Sequence, residues 1–293
     1  MKKLFLFLLI ALSINSFGQN KASKTITIPF ELLGSGHILI TAKVNNIEGK
    51  FIFDTGAGLN LLTKKFADKV TNLKKTDGFY TGHRATGEAI DCDLWDSESL
   101  EIGNFTSKAQ KFTTIDMDFP VDGLISLLPF REFPITIDYK NKILVLETDK
   151  SLKELAKTGT SFPIQISDDA EKTLGISTYI KINDKLTLQM NLDSGAGFNV
   201  FRFSSRYMEK LGIDSSKVEK KYRASSDFKP TEGNNYYFTT LDKISVKSAD
   251  KIKATDFKAT FIEGLIYEAI GSINWLGDKI TIDIQKKNMI INN

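Results

Sequence analysis

Two stretches of the chain carry one pattern. Phe51-Ile52-Phe53-Asp54-Thr55-Gly56-Ala57-Gly58 recurs as Met190-Asn191-Leu192-Asp193-Ser194-Gly195-Ala196-Gly197. Each is an apolar run that ends on an aspartate, followed by a hydroxyl residue and a glycine. An apolar run of alternating type reads as a half-buried strand. A glycine just beyond it permits a tight turn. Each copy is therefore expected to present a carboxylate at a strand end, on a sharp loop. If the two loops face one another, two carboxylates share one polar pocket.

The flanking sequence repeats as well, which makes the unit of organisation large. Thr25-Ile26-Thr27-Ile28-Pro29-Phe30 opens the first copy and Phe162-Pro163-Ile164-Gln165-Ile166 the second. Residues 37–44, a turn at Asn45-Asn46 and residues 49–54 read as a hairpin whose second strand delivers Asp54. Residues 176–182, a turn at Asn183-Asp184 and residues 185–193 do the same for Asp193. Apolar spacing predicts short helices over 61–70 and 204–211. The polar, glycine-bearing stretches 79–89 and 222–237 read either as hairpins over a cleft or as plain surface loops. Residues 99–104 parallel 242–247, and Ile135-Thr136-Ile137-Asp138 recurs as Ile280-Thr281-Ile282-Asp283, each before a basic turn and a last apolar strand. The polar, lysine-rich segment 147–161 reads as a linker with one helical turn near Leu152–Ala156.

Composition narrows the possibilities. The chain has 293 residues, 41% of them hydrophobic, and its net charge of +3 leaves no nucleic-acid footprint. Residues 1–18 read as a cleaved signal peptide: Lys2 and Lys3, an apolar core over 4–12, and small residues before Gln19. The core is too short for an ordinary membrane span. The protein is thus expected to be secreted or periplasmic, without stable membrane insertion. Cys92, the single cysteine, excludes an internal disulfide and a cysteine metal cluster. His37 and His83 are too few for a histidine zinc site, and nothing in the spacing of His83 and Cys92 supports a nucleophilic pair. No GxSxG, phosphate-loop or zinc-helix signature occurs. Lys220–Arg223 reads as a solvated patch.

The doubled DTGA and DSGA loops, the later glycine-apolar segments and the I-T-I-D closing strands together resemble the retropepsin-like aspartic peptidases, in particular exported bacterial members with two repeats in one chain. The resemblance spans almost the whole mature sequence. It implies a mostly β fold: two pseudo-symmetric, closed β-barrel repeats paired across a central cleft. The first repeat would be 19–147, the linker 148–161 and the second repeat 162–293, giving a monomer with an internal pseudo-dimer. It implies an aspartic-type endopeptidase acting on peptide or protein substrates, with Asp54 and Asp193 as catalytic pair and Thr55, Gly56, Ser194 and Gly195 supporting the loops. The two hydroxyls would bond backbone of the opposite loop. Two carboxylates in contact share one proton, so one activates water and the other protonates the carbonyl. No metal or cofactor is required. The alternative is a catalytically silent module that binds peptides with the same fold.

The chain departs from the family pattern in places. Ser126 follows Gly123-Leu124-Ile125 where a glycine is usual. The second copy aligns there through either Ala269-Ile270-Gly271 or Gly271-Ser272-Ile273-Asn274. Gly58 and Gly197 stand where retroviral members carry a substrate-binding aspartate, so substrate anchoring differs. Ala57 and Ala196 stand where pepsin-like enzymes often carry a hydroxyl that stabilises the ionised pair. Without that donor, activity is expected to extend closer to neutral pH.

Overall fold

The computed structural model describes residues 24–169, 172–226 and 229–293, so the expected signal segment lies outside the described residues. The chain is built mostly of strands in three sheets. Residues 31–125 make a ten-stranded sheet and residues 165–272 an eight-stranded one. The third sheet has six strands, three from each part of the sequence.

That six-stranded sheet joins the two parts. Its order is Ile26–Pro29, Ile143–Leu146, Ile135–Asp138, Lys279–Asp283, Asn288–Asn292, Thr160–Pro163. From either edge inward it runs opening strand, last strand, closing strand of one copy. The two I-T-I-D segments meet antiparallel at the centre, Thr136 opposite Thr281, with Ile135 opposite Ile282 and Ile137 opposite Ile280. All four isoleucines are fully buried, each worth about 1.5–3 kcal/mol. The threonine hydroxyls lie 2.8 Å apart, and Thr136 donates onward to the buried Glu147 Oε1 at 2.7 Å. One apolar core runs through both parts of the chain. The outer edges end in Pro29 and Pro163, which lack the N–H needed to extend the ladder.

The opening strands are shorter than the sequence pattern suggests, because each switches sheets midway. Ile26–Pro29 gives way to Glu31–Leu32, and Thr160–Pro163 to Gln165–Asp169. Phe30 and Ile164 sit at the two switches, and their N–H groups donate to Lys142 O and Lys287 O, both at 3.0 Å.

The hairpins that carry the aspartates follow from their turns. Ile38–Val44 pairs with Ile47–Phe53 across Asn45 and Asn46, both left-handed (φ 47° and 68°), the geometry of a two-residue hairpin turn. Thr173–Ile182 pairs with Leu186–Asp193 across a turn one residue longer, with Asn183 and Asp184 left-handed (φ 49° and 53°). Asn45 Oδ1 then accepts from Glu98 N at 2.7 Å, and Asn183 Oδ1 from Lys243 N at 2.9 Å. One asparagine in each hairpin thus shapes the turn and anchors it to a neighbouring strand.

Three local expectations are revised. The segment 61–70 is not helical throughout: Asn60–Thr63 is a strand held between Lys111–Ile115 and Gly123–Ile125. Only Lys64–Ala67 is helical, capped by Thr63 Oγ1, which accepts from Phe66 N. The segment 204–211 holds two 3-10 turns, Ser205–Tyr207 and Glu209–Leu211. The connecting segment carries a ten-residue helix, Asp149–Thr158, where one turn was expected. Thr148 and Ser151 form a capping box at its start.

Candidate active site

Asp54 and Asp193 end the inner strands of the two hairpins. Behind each lies a short parallel strand. Gly123–Ile125 runs beside Phe51–Phe53, and Ala269–Ser272 beside Met190–Asp193. This register matches Gly123 with Ala269 and Ser126 with Ser272, which overturns both alignments expected from sequence. Glycine is needed at 123 because an added Cβ would lie 1.9 Å from Leu61 O. Ser126 is buried and bonded rather than a packing fault: its N–H and hydroxyl both donate to Asn60 Oδ1, at 2.9 and 3.0 Å. Ser272 Oγ accepts from Val200 N at 2.8 Å on the other side.

The two aspartate loops grip each other through buried hydroxyls. Thr55 Oγ1 donates to Leu192 O at 2.8 Å and accepts from Ser194 N at 3.0 Å. Ser194 Oγ donates to Phe53 O at 2.9 Å and accepts from Thr55 N at 3.0 Å. Both side chains are almost fully buried. Loss of either hydroxyl leaves buried backbone groups unpaired, at about 1–3 kcal/mol apiece.

Gly56 and Gly195 are required by contact, not by the turn. Neither has positive φ, contrary to the tight-turn expectation. An added Cβ at Gly56 would lie 2.5 Å from Asp193 Cγ, and one at Gly195 2.4 Å from Asp54 Cγ. Each glycine therefore packs against the carboxylate of the other loop. Gly197 does have positive φ (86°), and a Cβ there would meet Ser35 O at 2.5 Å. An aspartate in that position has no room.

The pair is electrostatically unequal. Asp54 Oδ1 accepts three backbone N–H groups: Gly56 at 2.8 Å, Ala57 at 3.1 Å and Gly195 at 3.2 Å. Asp193 Oδ1 is buried and, among the described residues, receives no donor. Burial first, then the neighbouring Asp54 charge and a hydrogen bond with Asp54, push the Asp193 carboxyl well above the usual carboxylate range. The Arg202 guanidinium and the Gly195 N–H act in the other direction.

His37, too isolated in the sequence to suggest a metal site, stands beside the Asp193 loop. Its Nε2 lies 2.9 Å from Gly195 O, and its Nδ1 lies 2.7 Å from Ser35 Oγ. A carbonyl only accepts, so Nε2 carries the proton and Nδ1 accepts from the serine hydroxyl. The loop of the first part thereby holds the loop that carries Asp193. Phe198 N donates to Ser35 O at 3.3 Å beside it. The matched hairpin places Gly175 opposite His37 in the second copy, so the repeat comparison could have drawn attention to it.

A cleft of about 460 Å³ adjoins the aspartate loops; Thr55, Gly56, Tyr80, His83, Asn191 and Tyr267 are among its lining residues, and Asp54 and Asp193 are not. The first glycine-bearing stretch is a hairpin over this cleft, Lys74–His83 with Ala89–Asp96. Its tip docks across the cleft, where Ala85 O accepts from Ile266 N at 3.0 Å and Ala85 packs on Ile262, Leu265 and Ile270. The second stretch belongs to the hairpin of Glu219–Ser226 with Lys229–Val246. Cys92 stands opposite Tyr80 and His83 opposite Ala89, so the hairpin register keeps cysteine and histidine apart.

Residues 40–127, which include the Asp54 loop, match the family described as aspartyl protease. The chain is 32% identical to a retropepsin-like aspartic protease from Rickettsia conorii of known crystal structure. That match covers 42% of this chain and 89% of the other, with a TM-score of 0.32. No curated protein matches the chain. On the sequence identity over most of that relative, the chain belongs to the retropepsin-like aspartic protease family.

Proposed function

We propose that the chain is an aspartic-type endopeptidase in which Asp54 and Asp193 activate a water molecule for attack on a peptide carbonyl. One observation carries the reading. Three N–H groups converge on Asp54 Oδ1, while Asp193 Oδ1 is buried with no donor among the described residues. Two carboxylates so placed hold a single proton between them. The reading assigns that proton to Asp193. Ionised Asp54 takes a proton from the water, Asp193 gives its own to the carbonyl oxygen, and a tetrahedral diol results. Proton transfer to the amide nitrogen then breaks the C–N bond and restores the pair.

On this reading the two copies are half-barrels about an approximate twofold axis, 19–147 and 162–293, and one chain suffices. The matched strand pairings around Asp54 and Asp193 support it. The substrate is a peptide or protein segment lying in the cleft beneath the hairpin tipped by Ala85. Residues 1–18 direct export to the periplasm or the exterior.

The test is cleavage of a peptide library by the mature chain from Gln19, beside Asp54→Asn and Asp193→Asn. We expect turnover by the wild type, its inhibition by a statine-type transition-state analogue, and a loss of about 10³-fold or more in each variant. Equal behaviour of all three proteins would leave a peptide-binding scaffold instead. N-terminal sequencing of the exported protein checks the cut before Gln19.

A further inference from the structure

The two aspartate strands carry unlike rows of side chains on the face they share with their aspartates. Side chains alternate along a strand, so Ile52 shares a face with Asp54, and Asn191 with Asp193. Cross-strand partners lie on the same face. In the first part the row across the sheet is Ile52, Leu124, Leu61. In the second part the matching row is Asn191, Ile270, Arg202. Asn191 lines the cleft, and Arg202 is half-buried on the same face. The row of the first part is therefore wholly aliphatic, and the row of the second carries an amide and a guanidinium; of these six side chains, Asn191 is the one that lines the cleft.

Resting on the endopeptidase reading, we propose that Arg202 is a specificity residue that selects substrates with an acidic side chain on one side of the scissile bond and an apolar one on the other. Three points support it. Among the described residues Arg202 forms no ion pair with a carboxylate. The nearby Glu268 is already engaged, by Gln189 N at 2.7 Å and Tyr207 Oη at 3.0 Å. A half-buried guanidinium that no carboxylate meets within ion-pair distance gains most from one that fits its planar fork. The charge of Arg202 also bears on Asp193, which sets it within electrostatic range of the reacting centre. In the matched position Leu61 offers only aliphatic surface, so the preference is one-sided.

The experiment compares wild type, Arg202→Leu, Arg202→Lys and Arg202→Glu on peptide pairs that differ only by Glu against Gln, scanned through the residues flanking the cleaved bond. The wild type is expected to favour Glu about tenfold or more at one position, less so at high salt. The lysine variant keeps part of that ratio, the leucine variant brings it near one, and the glutamate variant turns it toward Lys or Arg. A wild-type ratio near one at every position, or a leucine variant that keeps the preference, overturns the proposal. The same pairs are titrated by calorimetry into Asp54→Asn, alone and combined with Arg202→Leu. Acidic-peptide binding that depends on Arg202 without cleavage by any protein would sink the catalytic reading and leave this one standing. Cleavage without acidic preference would do the reverse.

Discussion

Gly56 lies so close to Asp193 that a methyl group added to it would meet Asp193 Cγ at 2.5 Å. The contact is answered across the seam by Gly195 and Asp54 at 2.4 Å. Gly56→Ala and Gly195→Ala must push the carboxylates apart. We expect each to cost about 1–3 kcal/mol of stability by overpacking and to lower kcat/KM at least about 10²-fold, since a small displacement of reacting groups has that effect. Thermal unfolding and steady-state kinetics check both. An alanine variant with wild-type turnover would show that the carboxylates do not need this spacing.

The upward shift of Asp193 fixes a sign for the pH dependence of stability. Its carboxyl is held well above its ordinary value of 3.8, chiefly by burial and by the Asp54 charge. The folded chain therefore keeps a proton that the unfolded chain releases. The contribution is complete below that ordinary value and is lost as pH rises through the folded-state value. Melting temperature should decline over this window in the wild type and decline less in Asp193→Asn. Activity should fall at the alkaline end for the same reason. Serines in place of Ala57 and Ala196 would add donors to the ionised pair and move the activity profile toward acid. A profile confined to strongly acidic conditions in the wild type would contradict this account.

His37 offers a test of positioning. Its bond to Gly195 O holds the loop whose N–H reaches Asp54 and whose first residue is Asp193. His37→Ala is expected to lower kcat about tenfold with a smaller effect on KM. His37→Gln, which can still donate to the carbonyl, should recover part of the loss. Equal kcat in all three proteins would reduce His37 to a packing residue.

The hairpins and their aspartates were legible because alternation, asparagine turns and strand-end carboxylates are all local signals. The central pairing of Ile135–Asp138 with Lys279–Asp283 was foreshadowed by the repeated I-T-I-D, although sequence alone gives no register. What stayed hidden was set by contacts across the seam. Gly56 reads as a turn residue until the opposite carboxylate is seen beside it. Leu61 and Leu62 fit a helical spacing equally well, and only the flanking strands make that stretch extended. His37 carries no local pattern that points to Gly195, 158 residues away, and the row that holds Arg202 emerges only from the strand register. The Ser126 alignment failed because one glycine was used as the marker, whereas Gly123 answers to a neighbouring carbonyl that has no counterpart constraint at Ala269.

The six-stranded sheet has a consequence for how the chain tolerates being cut. Its central ladder, Thr136 beside Thr281, is formed by strands on opposite sides of the Asp149–Thr158 helix, and none of its hydrogen bonds depends on that helix being intact. A nick in the helix would leave two polypeptides zipped along a dry isoleucine seam. Either piece made alone would bare its central strand, Ile135–Asp138 or Lys279–Asp283, as an edge open to the wrong neighbour. Made together, the pieces have a complementary edge at hand and should reassemble, so the covalent link serves mainly to keep each copy's partner at high local concentration.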